Sequence, residues 1–87
     1  MANFVDPQDV YEYLLSQGVS IPAAQGILAN VKHESRFNST AVGDNGMSYG
    51  LFQHYNTRRD ALLNYARKNG KHESDWKTQV DYALKEA

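Results

Sequence analysis

The chain has 87 residues, of which 41% are hydrophobic and 22% charged, a balance typical of one small folded domain rather than a disordered segment. Nine basic and ten acidic side chains give a net charge of −1, which leaves no basic excess for nucleic-acid binding. The absence of cysteine excludes disulfide scaffolds, thiolate metal sites and cysteine nucleophiles.

Two helices are predicted in the first 35 residues. Asp6 is a good N-cap, Pro7 suits the first helical position, and Gly18 ends the periodic stretch. Ser20 can cap the second helix, whose apolar positions recur at helical spacing. Gly26 lies within that apolar stripe, which predicts close packing at this position.

A turn-rich segment follows the second helix. Residues 38–48 are rich in Asn, Ser, Thr and Gly, and Asn45-Gly46 is a strong signal for a tight turn. We therefore predict a short β-hairpin or a compact loop here. The next residues, 49–53, are apolar again and fit either the end of a strand or the start of a helix.

Two further helices are predicted in the rest of the chain. Thr57 can cap a helix that Gly70 ends, and Ser74 or Asp75 can cap the last one. The chain stops at Ala87 in helical register, which indicates a continuation absent from this chain or a helix that docks on something else. The predicted fold is mainly α (α+β), with about four helices and one short β-hairpin. We expect its core to contain Val10, Leu14, Ile27, Leu28, Val31, Leu62, Tyr65, Trp76, Val80 and Leu84.

Glu34 continues the apolar face of the second helix. Positions 27, 31 and 34 share one helical face, which places this carboxylate beside Ile27 and Val31. A carboxylate in apolar surroundings is desolvated and holds its proton, as a general acid for glycosidic cleavage must. On the pattern alone, the alternative is that Glu34 points outward or pairs with Lys32 or Arg36.

Five segments occur in a fixed order between Gln25 and Ala87. Residues 26–38 contain a helix ending in Glu34-Ser35; the others are Ala41-Val42-Gly43-Asp44, Ser48-Tyr49-Gly50-Leu51-Phe52-Gln53, 58–66 and 78–82. In this order and spacing the set resembles the tail-associated lysozyme domains of bacteriophages, members of the lysozyme-like superfamily related to goose-type lysozymes and lytic transglycosylases. Each segment alone is common, whereas the ordered set is specific.

The resemblance implies that Glu34 is the catalytic acid that protonates the glycosidic oxygen of peptidoglycan. Ser35 would orient this carboxyl group or contact the sugar. The expected substrate-binding residues are Ser35, Ser48, Tyr49, Gly50, Phe52, Gln53 and His54. Within this set, the side-chain amide of Gln53 would reach the substrate.

We expect the active groove to open where the end of the second helix meets the hairpin, and the aromatic side chains near this groove have two interpretations. Tyr49, Phe52 and Tyr55 can stack on sugar rings or belong to the core of the hairpin. His54 stands where the family usually has an aromatic residue, often Trp, and it could still stack or form a hydrogen bond.

Asp44 is the acidic residue of the loop after Glu34. We predict that it acts as a base or positions a water molecule, as an inverting glycosidase requires. The alternative is a turn residue bonded to its own backbone, as Asp before Asn-Gly often is. If Asp44 does not serve, a substrate N-acetyl group could assist, or the enzyme could be a lytic transglycosylase, which needs one acid/base group.

The sequence thus predicts a single lysozyme-like domain over residues 1–87, acting as a muramidase-type glycosidase of phage or prophage origin. Lysozyme-like domains of this type usually continue into further helices, which we expect to be missing here. A non-catalytic wall-binding or virion structural module is therefore an alternative. Peptidoglycan is the expected partner, together with other tail proteins or a longer parent chain. The expected location is the virion tail or, after release, the cell wall.

Several other functions are not supported. No cofactor or metal is expected, because His33-Glu34 lacks the second histidine of a zinc-protease motif. No apolar run reaches membrane-spanning length, and the N-terminus has no basic lead before an apolar stretch, so we expect neither membrane insertion nor a signal peptide in this chain. A basic cluster is either a solvated face or a surface attracted to the anionic cell wall; it comprises Arg58, Arg59, Arg67, Lys68 and Lys71.

Overall fold

Four helices make up most of the structure. The computed structural model describes residues 3–87. Helix α1 spans Pro7–Ser16 and α2 spans Ile21–Ser35, whereas α3 (Thr57–Lys68) and α4 (Trp76–Glu86) follow a small sheet. The predicted α+β class is confirmed. Within the described range, none of the helices has the length and apolar character needed to cross a membrane.

Side chains cap three of the helices, as predicted. Asp6, Ser20 and Asp75 each accept a hydrogen bond from a backbone N–H in the first turn of α1, α2 and α4 respectively. The predicted cap at Thr57 is wrong, because Thr57 is the first residue of α3 and follows Asn56. Asn56 has a φ of 53° and a ψ of −114°, outside the left-handed helical region, and its side chain makes no capping hydrogen bond.

A small antiparallel sheet lies between α2 and α3. Its strands, in chain order and in spatial order, are β1 (Val42–Gly43), β2 (Ser48–Tyr49) and β3 (His54–Tyr55). The predicted hairpin corresponds to β1 and β2, and β3 extends it, so that Val42, Tyr49 and His54 lie side by side. The tight turn forms a single 3₁₀ turn, Asp44–Gly46, with φ values of 52°, 58° and 88°.

The hydrophobic core lies where α1, α2 and α4 meet. Five predicted core side chains are fully buried, namely Val10, Leu14, Val31, Leu62 and Val80. Four others are half-buried against the core, namely Ile27, Leu28, Trp76 and Leu84. Leu51, between β2 and β3, is also fully buried and was not expected there. Close packing at Gly26 is not observed, because this glycine is exposed and an added Cβ would meet nothing within 4 Å.

The buried amide of Gln79 holds the sheet segment against α4. Its Oε1 accepts a hydrogen bond from the Leu51 N–H at 2.9 Å, and its Nε2 donates to the carbonyls of Ser39 and Glu73 at 2.9 and 2.8 Å. Gly50 approaches so closely, at a φ of 87°, that an added Cβ would lie 2.9 Å from the carboxamide. Gln79 therefore satisfies three backbone groups that would otherwise be left without partners in the interior.

Candidate active site

A cavity of about 550 Å³ opens between α2, α4 and the segment that joins β2 to α3. Its lining includes four of the predicted site residues, Glu34, Phe52, Gln53 and His54. The remaining lining residues are Leu14, Ile27, Asn30, Arg58, Ala83, Leu84, Glu86 and Ala87. The structure thus brings the end of α2 to the sheet segment, as the sequence interpretation required.

Glu34 lies in the last turn of α2 and is exposed at the cavity. It shares its helical face with Ile27 and Asn30, which also line the cavity. This carboxylate is therefore not buried among apolar side chains, although the sequence pattern predicted that it would be. The alternative pairing with Lys32 or Arg36 is not found either, since no ion pair joins these side chains within residues 3–87.

Ser35 points away from the cavity. Its side chain is buried, and its hydroxyl donates a hydrogen bond to the Val31 carbonyl at 3.1 Å, one turn earlier in α2. Adjacent residues on a helix face directions about 100° apart, so Glu34 and Ser35 cannot both reach the same cavity easily. In this arrangement Ser35 fixes the end of α2.

Gln53 lines the cavity while its amide nitrogen is used within the fold. Its Nε2 donates to the carbonyls of Ala41 and Gly50 at 3.0 and 2.9 Å. An added Cβ at Gly43 would lie 2.5 Å from Gln53 Oε1, so β1 needs glycine opposite this side chain. Both N–H groups of the amide therefore have partners within the fold, and its carbonyl oxygen lies against Gly43.

Asp44 and Ser48 interact with each other outside the cavity lining. The Ser48 hydroxyl donates to Asp44 Oδ2 at 2.6 Å, and the Asp44 carbonyl accepts from the Met47 N–H at 3.1 Å. Ser48 is buried, whereas Asp44 is exposed in its turn. Asp44 thus lies in the turn, and the cavity lining that contains Glu34 does not include it.

The other predicted substrate-binding residues divide between the cavity and the sheet. Phe52 lines the cavity, with its ring centroid 5.9 Å from that of His54. Tyr49 is half-buried elsewhere in the sheet, and its burial, reinforced by Glu73, raises its pKa. Gly50 is buried against Gln79, as described above. Tyr55 is exposed and lies outside the cavity lining.

His54 forms a polar cluster with Glu86 and Arg58 in the cavity wall. His54 Nε2 lies 2.8 Å from Glu86 Oε1. Arg58 donates two hydrogen bonds to the same carboxylate, from Nε to Oε2 at 2.9 Å and from Nη2 to Oε1 at 2.8 Å. The imidazole is fully buried, and its ring centroid lies 5.2 Å from that of Tyr82 in an edge-on contact. His54 therefore uses Nε2 and the face towards Tyr82 within the fold.

The pKa values of all three members of the cluster are shifted, and the hydrogen bond to Glu86 raises the pKa of Arg58. Burial lowers the pKa of His54 below its ordinary value of 6.5, although Glu86 opposes this shift. The hydrogen bonds from Arg58 lower the pKa of Glu86 to about 2, so this carboxylate is ionised at neutral pH. No local pattern in the sequence indicated the cluster, because 28 residues separate Arg58 from Glu86.

The basic cluster predicted from the sequence is only partly free. Besides the pairing of Arg58, Arg59 donates a hydrogen bond from Nη1 to the Gly46 carbonyl at 2.6 Å and so holds the turn between β1 and β2. Arg67, Lys68 and Lys71 are exposed, as a solvated face would be. No group of three or more His, Asp or Glu side chains within residues 3–87 is arranged to hold a metal ion.

A comparison with known protein families supplies the identity of the domain. The sequence model of the family described as Phage tail lysozyme matches residues 6–87, which include all four helices. No curated protein and no solved structure matches the chain. The family indicates a glycosidase-type, lysozyme-like function directed at the cell wall, with peptidoglycan as substrate and the virion tail as location. The chain therefore belongs to the phage tail lysozyme family.

Proposed function

We propose that this domain cleaves the glycan strands of peptidoglycan, with Glu34 as the general acid. The observation that carries the proposal is the position of Glu34 in one cavity with Phe52 and Gln53. A carboxyl group, an aromatic ring and an amide carbonyl suit a polysaccharide, because they can protonate a glycosidic oxygen, stack on a sugar ring and accept a hydrogen bond.

The exposure of Glu34 is compatible with this role. A sugar chain lying in the cavity would exclude water from the carboxyl group and set it against Ile27, Phe52 and Leu84. Glu34 would then give its proton to the glycosidic oxygen as the bond to the anomeric carbon breaks. Water or, in a lytic transglycosylase, the 6-hydroxyl group of the same sugar would form the new bond to that carbon and return a proton to the Glu34 carboxylate. The desolvation expected from the sequence would in this case come from the bound substrate rather than from the protein alone.

A lytic transglycosylase is the second candidate, and the position of Asp44 favours it. Asp44 lies outside the cavity lining, bonded to Ser48, and it remains only a prediction as base or water-positioning group. Glu86 also places a carboxylate in the cavity. Its oxygens already form hydrogen bonds with Arg58 and His54, which makes Glu86 a poor base or nucleophile. A reaction with one acid/base group, or one assisted by a substrate N-acetyl group, needs no second free carboxylate.

Digestion of purified peptidoglycan, with the products analysed by mass spectrometry, tests the proposal. Wild type should release soluble fragments, and Glu34→Gln should lower the rate by about 100-fold to 10,000-fold, the usual contribution of a general acid. Glu12→Gln is the matched control, because Glu12 is an exposed carboxylate on α1 outside the cavity lining. Circular dichroism establishes that each variant is folded.

The products separate the candidate reactions. Reducing-end muramic acid from wild type identifies a hydrolase, and 1,6-anhydro ends identify a lytic transglycosylase. Full activity of Glu34→Gln would refute the role of Glu34. Binding to peptidoglycan without any released fragment would instead support a non-catalytic wall-binding module of the tail.

A further inference from the structure

We infer that His54 is held as a neutral imidazole with its proton on Nε2, and that in this form it positions the α4 side of the cavity for substrate. The part that concerns substrate rests on the proposed function. The position of the proton follows from the contacts of the imidazole alone.

The contacts of Nε2 identify it as a donor. The atom lies 2.8 Å from Glu86 Oε1, which already accepts a hydrogen bond from Arg58 Nη2. The bidentate guanidinium holds Glu86 in its ionised form, in which a carboxylate can only accept hydrogen bonds. The hydrogen of the contact between His54 and Glu86 must therefore be on Nε2.

The surroundings of Nδ1 exclude a second proton. Nδ1 is buried, and it has no hydrogen-bond partner in the described part of the chain. An unpaired lone pair in the interior is tolerated better than an unpaired N–H, which is rare in folded proteins. Nδ1 carries a proton in the other neutral tautomer and also in the charged imidazolium. Either form would therefore bury an N–H group that has no partner.

The groups that face His54 act in opposite directions on its charge. From α4, Glu86 favours protonation and Tyr82 makes an edge-on ring contact; from α3, Arg58 opposes protonation. Glu34, on α2, lines the same cavity. Burial is the largest influence and lowers the pKa of His54, so the neutral form extends below pH 6.5.

The cluster connects three elements at the cavity. Through Glu86, the end of α4 is attached to β3 by His54 and to the first turn of α3 by Arg58. Protonation of Nδ1 would require the ring or the end of α4 to move until the new N–H found a partner. His54 and Glu86 are therefore positioning residues, and the shape of the cavity depends on the proton at Nε2.

Imidazole nitrogen NMR of the whole chain tests the proton directly. In uniformly ¹⁵N-labelled protein, long-range ¹H–¹⁵N spectra recorded between about pH 5 and pH 8 should show His54 with Nε2 protonated and Nδ1 unprotonated. The signals should change to those of imidazolium only below pH 6.5. A proton on Nδ1 at neutral pH, in either the neutral or the charged ring, would overturn the inference.

Two variants test the positioning role by binding, which does not require catalysis. Soluble glycan strands are titrated into the protein while the amide signals of Phe52 and Gln53 are followed. Wild-type binding should weaken at acid pH, where Nδ1 takes up a proton. His54→Gln keeps an N–H donor for Glu86 without a titrating group, so it should lose this weakening at acid pH and should lose less affinity than His54→Leu. His54→Leu removes the donor and should weaken binding by about 10-fold to 100-fold at all pH values.

The controls distinguish this inference from the proposed function. His72→Gln changes an exposed histidine outside the cavity lining and should leave both affinity and its pH dependence as in wild type. Wild-type affinity of His54→Leu, or a wild-type pH dependence of His54→Gln, would refute positioning by His54.

If wild type releases no fragments from peptidoglycan, the proposed reaction fails while the NMR result on the proton stands. If the proton is on Nδ1 and Glu34→Gln is inactive, the proposed reaction stands and this inference fails.

Discussion

The helical core and the sheet segment of this domain are held in different ways. In the core, α1, α2 and α4 meet through fully buried aliphatic side chains such as Leu14, Val31 and Val80. The sheet segment, residues 38–56, has strands of only two residues, and side-chain amides supply much of what holds it. Gln79 satisfies three backbone groups of the surrounding segments, and Gln53 joins the two ends of the β1–β2 hairpin.

This difference bears on the cavity, because each region supplies part of it. The core helix α2 presents Glu34, whereas the sheet segment presents Phe52, Gln53 and His54. Apolar contacts tolerate small displacements, but hydrogen bonds weaken steeply when their geometry changes. We therefore expect changes in the core to lower the stability of the whole domain, and changes in the amides to disturb the cavity first.

The largest expected effect on stability comes from the core. Leu14→Ala should lower the free energy of unfolding by about 2–5 kcal/mol, because the shortened side chain leaves a cavity among packed neighbours. Urea unfolding followed by circular dichroism measures the change. Ile21→Ala removes an exposed aliphatic side chain and should cost less than about 1 kcal/mol. Equal losses in the two variants would contradict the description of the core.

A comparable effect is expected from a single amide. Gln79→Ala should cost about 2–4 kcal/mol, because it leaves Leu51 N–H and two carbonyls unpaired in the interior. Hydrogen exchange should accelerate first at Leu51. Gln25→Ala, an exposed amide on α2, should change stability by no more than about 0.5 kcal/mol. If Gln79→Ala were as stable as the Gln25 variant, the sheet segment would have to be held by other contacts.

The Glu86 cluster predicts an acid-sensitive contribution to stability. The pKa of Glu86 is lowered from 4.5 to about 2, so the folded state favours the ionised form. This contribution is present above pH 4.5 and is lost as the pH falls towards about 2. We expect a contribution of about 1–2 kcal/mol, reduced by the exposure of Arg58.

Urea unfolding at several pH values measures this contribution. Glu86→Gln should be less stable than wild type at neutral pH, and its stability should vary less between pH 4.5 and about 2. Glu12→Gln should keep the dependence of wild type. An unchanged pH dependence in Glu86→Gln would show that this cluster does not join the two regions energetically.

The smallest effects come from a pair of glycines, one in each region. Gly43→Ala should lower stability by about 1 kcal/mol and displace Gln53, because its Cβ would lie 2.5 Å from Gln53 Oε1. Gly26→Ala in α2 meets nothing within 4 Å and should raise stability by about 0.5–1 kcal/mol through helix propensity. Thermal unfolding and peptidoglycan digestion measure both variants. Changes of the same sign in the two variants would refute the contrast.

Much of the fold was predictable from local signals. The caps at Asp6, Ser20 and Asp75 and the turn at Asn45-Gly46 lie where the sequence indicated them. The burial of Leu51 was not predictable, because it depends on a contact with Gln79, 28 residues away. The third strand has only two residues, which is too short for a periodic pattern to indicate it. The pattern also misplaced the start of α3, because a positive φ at Asn56 has no reliable sequence signature.

The candidate site was predictable in part. Resemblance to the phage tail lysozymes placed Glu34 and Gln53 in one groove, and the structure brings both to one cavity. It also selected Ser35, Ser48 and Asp44, whose side chains form hydrogen bonds outside the cavity lining. A motif names neighbours along the chain, but successive residues of a helix or strand face different sides, so only some of them can line one cavity.

The sequence by itself determined the helices, the tight turn and the family, because caps, periodicity and motif spacing act over a few residues and can be read directly. The tertiary structure alone decided that Glu34 is exposed, that Gln53 uses its amide nitrogen within the fold, and that Glu86 joins the cavity. The position of Glu86 depends on hydrogen bonds between residues far apart in the chain. Arg58 and Glu86 are 28 residues apart, and Ser39 and Gln79 are 40 apart. The sequence contains no periodic or local pattern that predicts such pairs. In the unfolded chain each polar group can bond to water, so nothing near it in the sequence identifies its partner.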